Sequence, residues 1–239
     1  IVVTGSNNVE EQVIVNKINE LLGNLNSTID FNGQYFGRTG DERNVTKLIE
    51  EMNGGQVSTV IVWGANPAWE LPNAEAFKAA FAKVGTRISL NTNLDETTLL
   101  CTHAAPTHHF LESWGDANPK AGMLSLIQPT IAPLFATRQA EHSLLVWCES
   151  ANLNSTAEQP YYEYVKASWL GDMFNSQSKY LTTDAFWEMS LHDGVYERPG
   201  AEVSVVFNPT VSVDLNGVSK PSSSELEISF YETVNIGGG

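Results

Sequence analysis

The sequence predicts an α/β fold: a Rossmann-like parallel sheet with helices on both faces, plus a C-terminal helical and antiparallel β extension. Three observations point there. Short apolar runs alternate with amphipathic helical stripes over about the first 90 residues. The apolar runs are continuous, as in strands buried on both faces, and each stops at Gly or a polar turn. Beyond residue 148 a polar linker leads to helical stripes and then to runs with period two.

The elements follow in order. Ile1 to Gly5 reads as a strand, and Ser6-Asn7-Asn8 supplies caps for a helix. Val9, Val13, Ile14, Ile18, Leu21 and Leu22 form its stripe, and Gly23 stops it. A strand is expected at Thr28 to Phe31, then a polar loop from Gly33 to Asp41. Val45, Leu48, Ile49 and Met52 mark a second helix ended by Gly54-Gly55. Thr59 to Trp63 is a strand that stops at Gly64 and turns through Ala65-Asn66-Pro67. Phe77, Ala80, Phe81 and Val84 form a third helical stripe, opened by Pro72-Asn73 and closed by Gly85. Arg87 to Leu90 is the next strand, and Asp95-Glu96-Thr97 its polar turn. Further strands are expected at Leu99 to Ala105, Met123 to Ile127 and Ser143 to Trp147, with a proline-marked extended segment from Gln128 to Phe135. Residues 149–160 are a linker; helices are expected at Tyr161 to Leu170 and Asp184 to Leu191. Alternation at 203–207 and 226–230 predicts antiparallel strands, with a turn at Lys220-Pro221 and the serines after it. The division is therefore a Rossmann-like domain at 1–148 and a linker, helices and β extension at 149–239.

Composition limits the partners. A net charge of −15 argues against nucleic acid and against anionic membrane surfaces, both of which need a basic face. No apolar run approaches the roughly 18 residues of a membrane span, so direct insertion is not expected. The chain starts at Ile1 without Met or a signal pattern and stops at Gly237-Gly238-Gly239, which reads as a segment of a longer protein. Two cysteines, Cys101 and Cys148, are too few for a cluster or a Cys-only zinc site; both lie in apolar surroundings and read as buried free thiols.

In a βαβ unit ligands sit past the carboxyl ends of the strands, so the turns after residues 63 and 90 mark the candidate functional edge. Gly64 lets a backbone approach a ligand, and Asn66 offers both donor and acceptor. The same residues equally serve a plain strand-to-helix turn with Pro67 opening the helix. Asp95-Glu96-Thr97 can accept ribose or guanine donors, or cap the following turn. His103, His108, His109, Glu112 and Asp116 form a local polar cluster whose spacing suits structural histidines or an interface rim better than a metal site. No GxSxG, Walker loop, GxGxxG or CxxC pair occurs, so these residues show no self-contained catalytic machinery.

Gly64-Ala65-Asn66-Pro67, Glu96-Thr97, the stretch from Cys101 to Pro106, Glu112 to Gly115, and the apolar run from Met123 to Pro133 together resemble the molybdopterin oxidoreductase family. That family shows a GxNP turn, a T-E-T turn, an Ala-Asp-x-x-Leu-Pro strand, a Glu-x-x-Gly step and an apolar strand leading to proline. HFLESWGDA at 109–117, LHDGV at 191–195 and LEISFYETVNIGGG at 226–239 are more similar still to one branch. It is the Tat-variant-translocated, molybdopterin-oxidoreductase-like iron–sulfur subunit of bacterial alternative complex III. The resemblance covers 1–148 and, more thinly, 184–239; the segment 150–183 has no counterpart in it.

The resemblance implies a periplasmic domain of a respiratory electron-transfer subunit. Its partners would be other domains and subunits of a membrane-associated complex. In active members the equivalent domain grips the nucleotide end of molybdopterin guanine dinucleotide; carried over, Gly64, Asn66, Pro67, Glu96 and Thr97 would be the contacts. The sequence departs from the family where Ala-Asp precedes Leu-Pro, having Cys101-Thr102-His103-Ala104-Ala105-Pro106 instead. The alternative complex III branch keeps the fold without the pterin, which implies a structural and docking scaffold. His103, His108, His109, Glu112, Trp114 and Asp116 are its candidate rim. The alternatives are the nucleotide-gripping domain of an active pterin oxidoreductase, and an unrelated Rossmann-like nucleotide-binding domain such as the middle domain of thiamine-diphosphate enzymes.

Overall fold

The computed structural model describes residues 1–37, 40–198, 203–208, 210–212, 216–218 and 224. The described chain is mixed α/β, with a three-stranded parallel sheet, a separate antiparallel sheet and, among the described residues, seven α-helices. It divides into two compact units. One holds residues 1–35, 120–122 and the described residues beyond 199; the other holds 36–119 and 123–198.

The larger unit contains the expected βαβ motif. Helix α2 (Glu42–Asn53) precedes β1 (Thr59–Val62), whose run of β-branched residues suits a pleated strand. A one-turn helix α3 (Pro67–Glu70) and α4 (Ala74–Phe81) then lead to β2 (Thr86–Ser89). β1 and β2 are parallel, with Val62 opposite Ser89, and β2 pairs in parallel with the two-residue β3 (His103–Ala104). Met52 from α2, Val62 from β1, Ala68 from α3 and Phe77, Ala80 and Phe81 from α4 close one core, with Phe77 and Phe81 stacked at 5.0 Å. The helical spacing places those three α4 residues on one stripe, which is why that helix was legible. The same strand is less enclosed than its apolar run predicts: Ile61 is 41% and Trp63 47% exposed, against 7% for Val62.

The same unit holds a second core. β4 (Gly115–Lys120), β5 (Met123–Ile127) and β6 (Val195–Glu197) form the second sheet in that order, β5 antiparallel to β6. Against it pack α6 (Pro160–Ser168), a following π-helical turn at Trp169–Met173, and α7 (Thr183–Asp193). Trp169, Phe186, Trp187 and Val165 are buried there. Thr182 caps α7 through its hydroxyl, and Gly194 ends it at φ +69°, a left-handed position that glycine adopts without strain.

Four expected strands are absent, for identifiable reasons. At Ile1 to Gly5 the extended backbone pairs with a side chain: Asn19 accepts from Val2 N–H at 2.9 Å and donates to Val2 C=O at 2.8 Å. Residues 203–208 are held in the same way, Asn32 accepting from Val203 N–H and Asn26 exchanging two bonds with Val205. An asparagine amide carries one donor and one acceptor face, so it satisfies a backbone peptide as a neighbouring strand would. Thr28 to Phe31 forms no strand; a single bridge joins Leu25 to Ile29, and Asp30 turns the chain by accepting from Asn32 N–H. Ser143 to Trp147 belongs to helix α5 (Ala140–Trp147), where Thr107 accepts the first N–H at 2.7 Å and Ser143 bonds back to Gln139 C=O. Leu99 to Ala105 is likewise mostly a 3₁₀ turn, Thr98–Leu100, ahead of the short β3. Cys148 caps α5 and is exposed, not buried; Cys101 is half-buried, and both are free thiols. The expected strand at 226–230 and the turn at 220–224 lie outside the described residues but for Ser224.

Candidate functional site

The two turns past β1 and β2 are tied into one polar network. Asn66 is its hub: its Nδ2 donates to Glu96 Oε2 at 2.7 Å, and its Oδ1 accepts from Thr97 N at 3.1 Å and from Thr97 Oγ1 at 2.7 Å. Thr97 is fully buried, and its hydroxyl also accepts from Ala68 N, the second residue of α3, at 3.0 Å. Asn66 precedes α3 but does not cap it with its own side chain; Thr97, thirty-one residues away, satisfies that helix end instead. Pro67 opens α3 at a position whose N–H would otherwise be orphaned.

A second hub is Asn91, which the sequence reading missed. Its Oδ1 accepts from Gly64 N at 2.8 Å, and its Nδ2 donates to Ala65 C=O and to Asp95 Oδ2, each at 2.8 Å. The available signal was an amide residue directly past a strand end, the same feature that singled out Asn66. Asp95 closes the ring by accepting from Thr98 N at 2.7 Å. All five predicted contacts, Gly64, Asn66, Pro67, Glu96 and Thr97, therefore gather at one edge.

Gly64 is at φ +65° with open space where a Cβ would stand. Gly64→Ala is expected to cost about 1 kcal/mol from backbone strain alone, with Gly64→Asn milder. Chemical denaturation of the three proteins checks the order.

The carboxylates of this unit are tuned by these bonds. Burial pushes the Asp95 carboxyl up, but hydrogen bonds from Thr98, Asn91 and Thr97 outweigh it and hold it below its ordinary value. The Asn66 amide lowers Glu96, and the Leu134 and His109 N–H groups lower Glu112. A carboxyl depressed in the folded state contributes stability above its unfolded pKa, and that contribution is lost as pH falls through the folded value. The part of the melting temperature that these carboxylates supply is expected to be constant between about pH 7 and 5 and to fall below about pH 4. Asp95→Asn is expected to flatten that acid limb; scanning fluorimetry across pH reads it.

The candidate rim is largely occupied by structure. Glu112 is buried at 9% exposure and accepts from His109 N and Leu134 N, both at 2.9 Å. His109 caps the 3₁₀ turn Phe110–Glu112, His108 Nδ1 meets Thr137 Oγ1 at 2.5 Å, and Asp116 accepts from Trp169 Nε1 at 2.8 Å. His103 is exposed and bonded to Thr102, and Trp114 packs on Tyr162. Among the described residues no three His, Cys, Asp or Glu side chains gather as metal ligands. The Glu112 bridge ties the Phe110–Glu112 turn to the backbone at Leu134, and Phe110, Leu134 and Phe135 are 66%, 71% and 76% exposed.

The edge fits a guanine dinucleotide only in part. The Thr97 hydroxyl donates to Asn66 Oδ1 and the Gly64 N–H to Asn91 Oδ1, so neither donor is left for a pyrophosphate. Glu96 is exposed; its carboxylate accepts from Asn66 Nδ2 and from its own backbone N–H, and it stays within reach of guanine N–H groups. Asp95 and Glu96 add negative charge where phosphates would need the opposite.

No family model matches the chain. It is 36% identical over 90 residues to the menaquinone reductase, molybdopterin-binding-like subunit of Nitratidesulfovibrio vulgaris (strain Hildenborough), an alignment covering 36% of this chain and 13% of that subunit. The chain thus spans only a small part of its relative's length. That similarity supports a relation between the matched stretch and proteins of the molybdopterin oxidoreductase type.

Proposed function

We propose that this chain is a domain of a respiratory electron-transfer subunit of the molybdopterin oxidoreductase type, serving as a periplasmic scaffold and docking surface without an active site of its own. In this reading 1–148 is the Rossmann-like part, 149–239 its extension, and alternative complex III the setting. The observation that carries it is the closed network between the two edge turns. Groups that would grip a nucleotide are bonded to one another, and the turn they brace opens α3. The similarity to a subunit of a respiratory reductase supports membership of a complex. No helix among the described residues is long and apolar enough to cross a membrane.

The docking face in this reading is the rim around Glu112, with Phe110, Leu134 and Phe135 as its apolar contacts. Phe110→Ser with Phe135→Ser in the whole protein is expected to weaken copurification of neighbouring subunits several-fold while leaving its melting temperature within about 2 °C. Unchanged copurification contradicts the docking assignment. A second reading rests on the exposed Glu96 carboxylate: as a nucleotide-gripping domain the chain would bind GDP, and Glu96→Ala would abolish that binding. Calorimetric titration with GDP separates the two.

A further inference from the structure

The larger unit also carries a cleft of about 440 Å³ that neither turn enters. Its walls include the rings of Trp114, Tyr161 and Tyr162, and its polar lining includes Glu112, Glu158 and His142. Trp114 and Tyr162 meet at 4.7 Å and 52°, a tilted corner in the cleft wall and not a parallel stack. Aromatic faces are the negative part of the ring quadrupole, and two such faces beside carboxylates attract a cation.

The charges around the cleft agree. Burial first, then Glu141 and Asp116, push the Tyr161 phenol well above its ordinary range, which keeps its proton in place. Burial, then Arg138 and His108, push the His142 imidazole down, so it is neutral at pH 7. Arg138 is the opposing charge; it is not part of the lining, and it donates to Ser143 Oγ at 2.9 Å. Glu112, Glu158, Glu141 and Asp116 stand against that single guanidinium. A free phosphate or carboxylate ligand is disfavoured there, and a purely apolar one leaves the carboxylates without a counter-charge.

We propose that this cleft is a binding site for a small organic cation, an alkylammonium or alkylguanidinium, held between the Trp114–Tyr162 corner and the Glu112 and Glu158 carboxylates. The site is separate from the edge turns and shares Glu112 and Trp114 with the docking rim, but not its apolar contacts Phe110, Leu134 and Phe135. Choline serves as the probe, with 3,3-dimethyl-1-butanol as its neutral isostere and sodium chloride at matched ionic strength as the control. Chemical-shift changes of the tryptophan indole N–H groups are the readout. Choline is expected to saturate at millimolar concentration, with the isostere at least fivefold weaker. Glu158→Gln, an exposed and structurally mild change, is expected to weaken choline about threefold, and Trp114→Phe by a similar factor because indole is the better cation acceptor. Equal responses to choline and its isostere, or a choline response matched by sodium chloride, overturn the proposal. So does saturable binding that Glu158→Gln and Trp114→Phe both leave unchanged.

Discussion

Asn66→Ala is expected to lower the stability of the larger unit by about 3 kcal/mol, seen as a melting temperature roughly 6–12 °C lower. The side chain makes three hydrogen bonds, two of them from Thr97, which has no access to water. Removing Asn66 leaves a buried N–H and a buried hydroxyl without their acceptor, and such groups cost about 1–3 kcal/mol each. Thr97 also braces the start of α3, and Ala68 of that helix is in the core, so the loss reaches the packing. Asn66→Asp is the informative partner. It keeps the acceptor for Thr97 but sets two carboxylates facing each other, so it is expected to cost less than Ala at pH 7. The gap to wild type is expected to narrow as pH falls below about 4. A network built mainly to hold a ligand would show the opposite pattern: small stability changes and a large loss of binding.

Trp169→Ala is expected to be the most damaging single change, about 3–5 kcal/mol. The ring is fully buried, lies 6.4 Å from both Trp187 and Tyr196 edge-on, and donates to Asp116 at 2.8 Å. Trp169 stands at the entry to a π-helical turn, where its C=O accepts from the Phe174 N–H five residues on. Trp169→Phe retains most of the burial and removes the donor; it is expected to cost about 1–2 kcal/mol. Near-UV circular dichroism during denaturation follows this aromatic cluster directly.

What was legible in the sequence follows from what periodicity reports. The stripes of α1 (Val9–Leu21), α2 and α4, and the turns at Gly64 and Asp95, were readable because spacing and breaking residues encode them locally. The strands expected at Ile1 to Gly5 and at 203–207 were not separable from real ones. The apolar run of the first and the alternation of the second are genuine, but the partners are asparagine side chains 17 and 179 residues away. Ser143 to Trp147 reads as a strand from its composition, but it continues helix α5, whose first N–H is accepted by Thr107 and whose Ser143 hydroxyl donates to Gln139 C=O. At the edge, the predicted residues did converge. That their polar groups would be turned on one another, with Asn91 as the second hub, depends on pairings across 26 to 31 residues that no local pattern reports.

The most direct test of the scaffold reading is the molybdenum and pterin content of the whole protein purified from its native host. Metal analysis by mass spectrometry would be combined with fluorescence of the oxidised pterin. The closed edge predicts an active complex with neither molybdenum nor pterin above background in this subunit. Stoichiometric molybdenum and pterin, with the pterin lost on Glu96→Ala in protein that still folds, would contradict it and make the edge a cofactor grip.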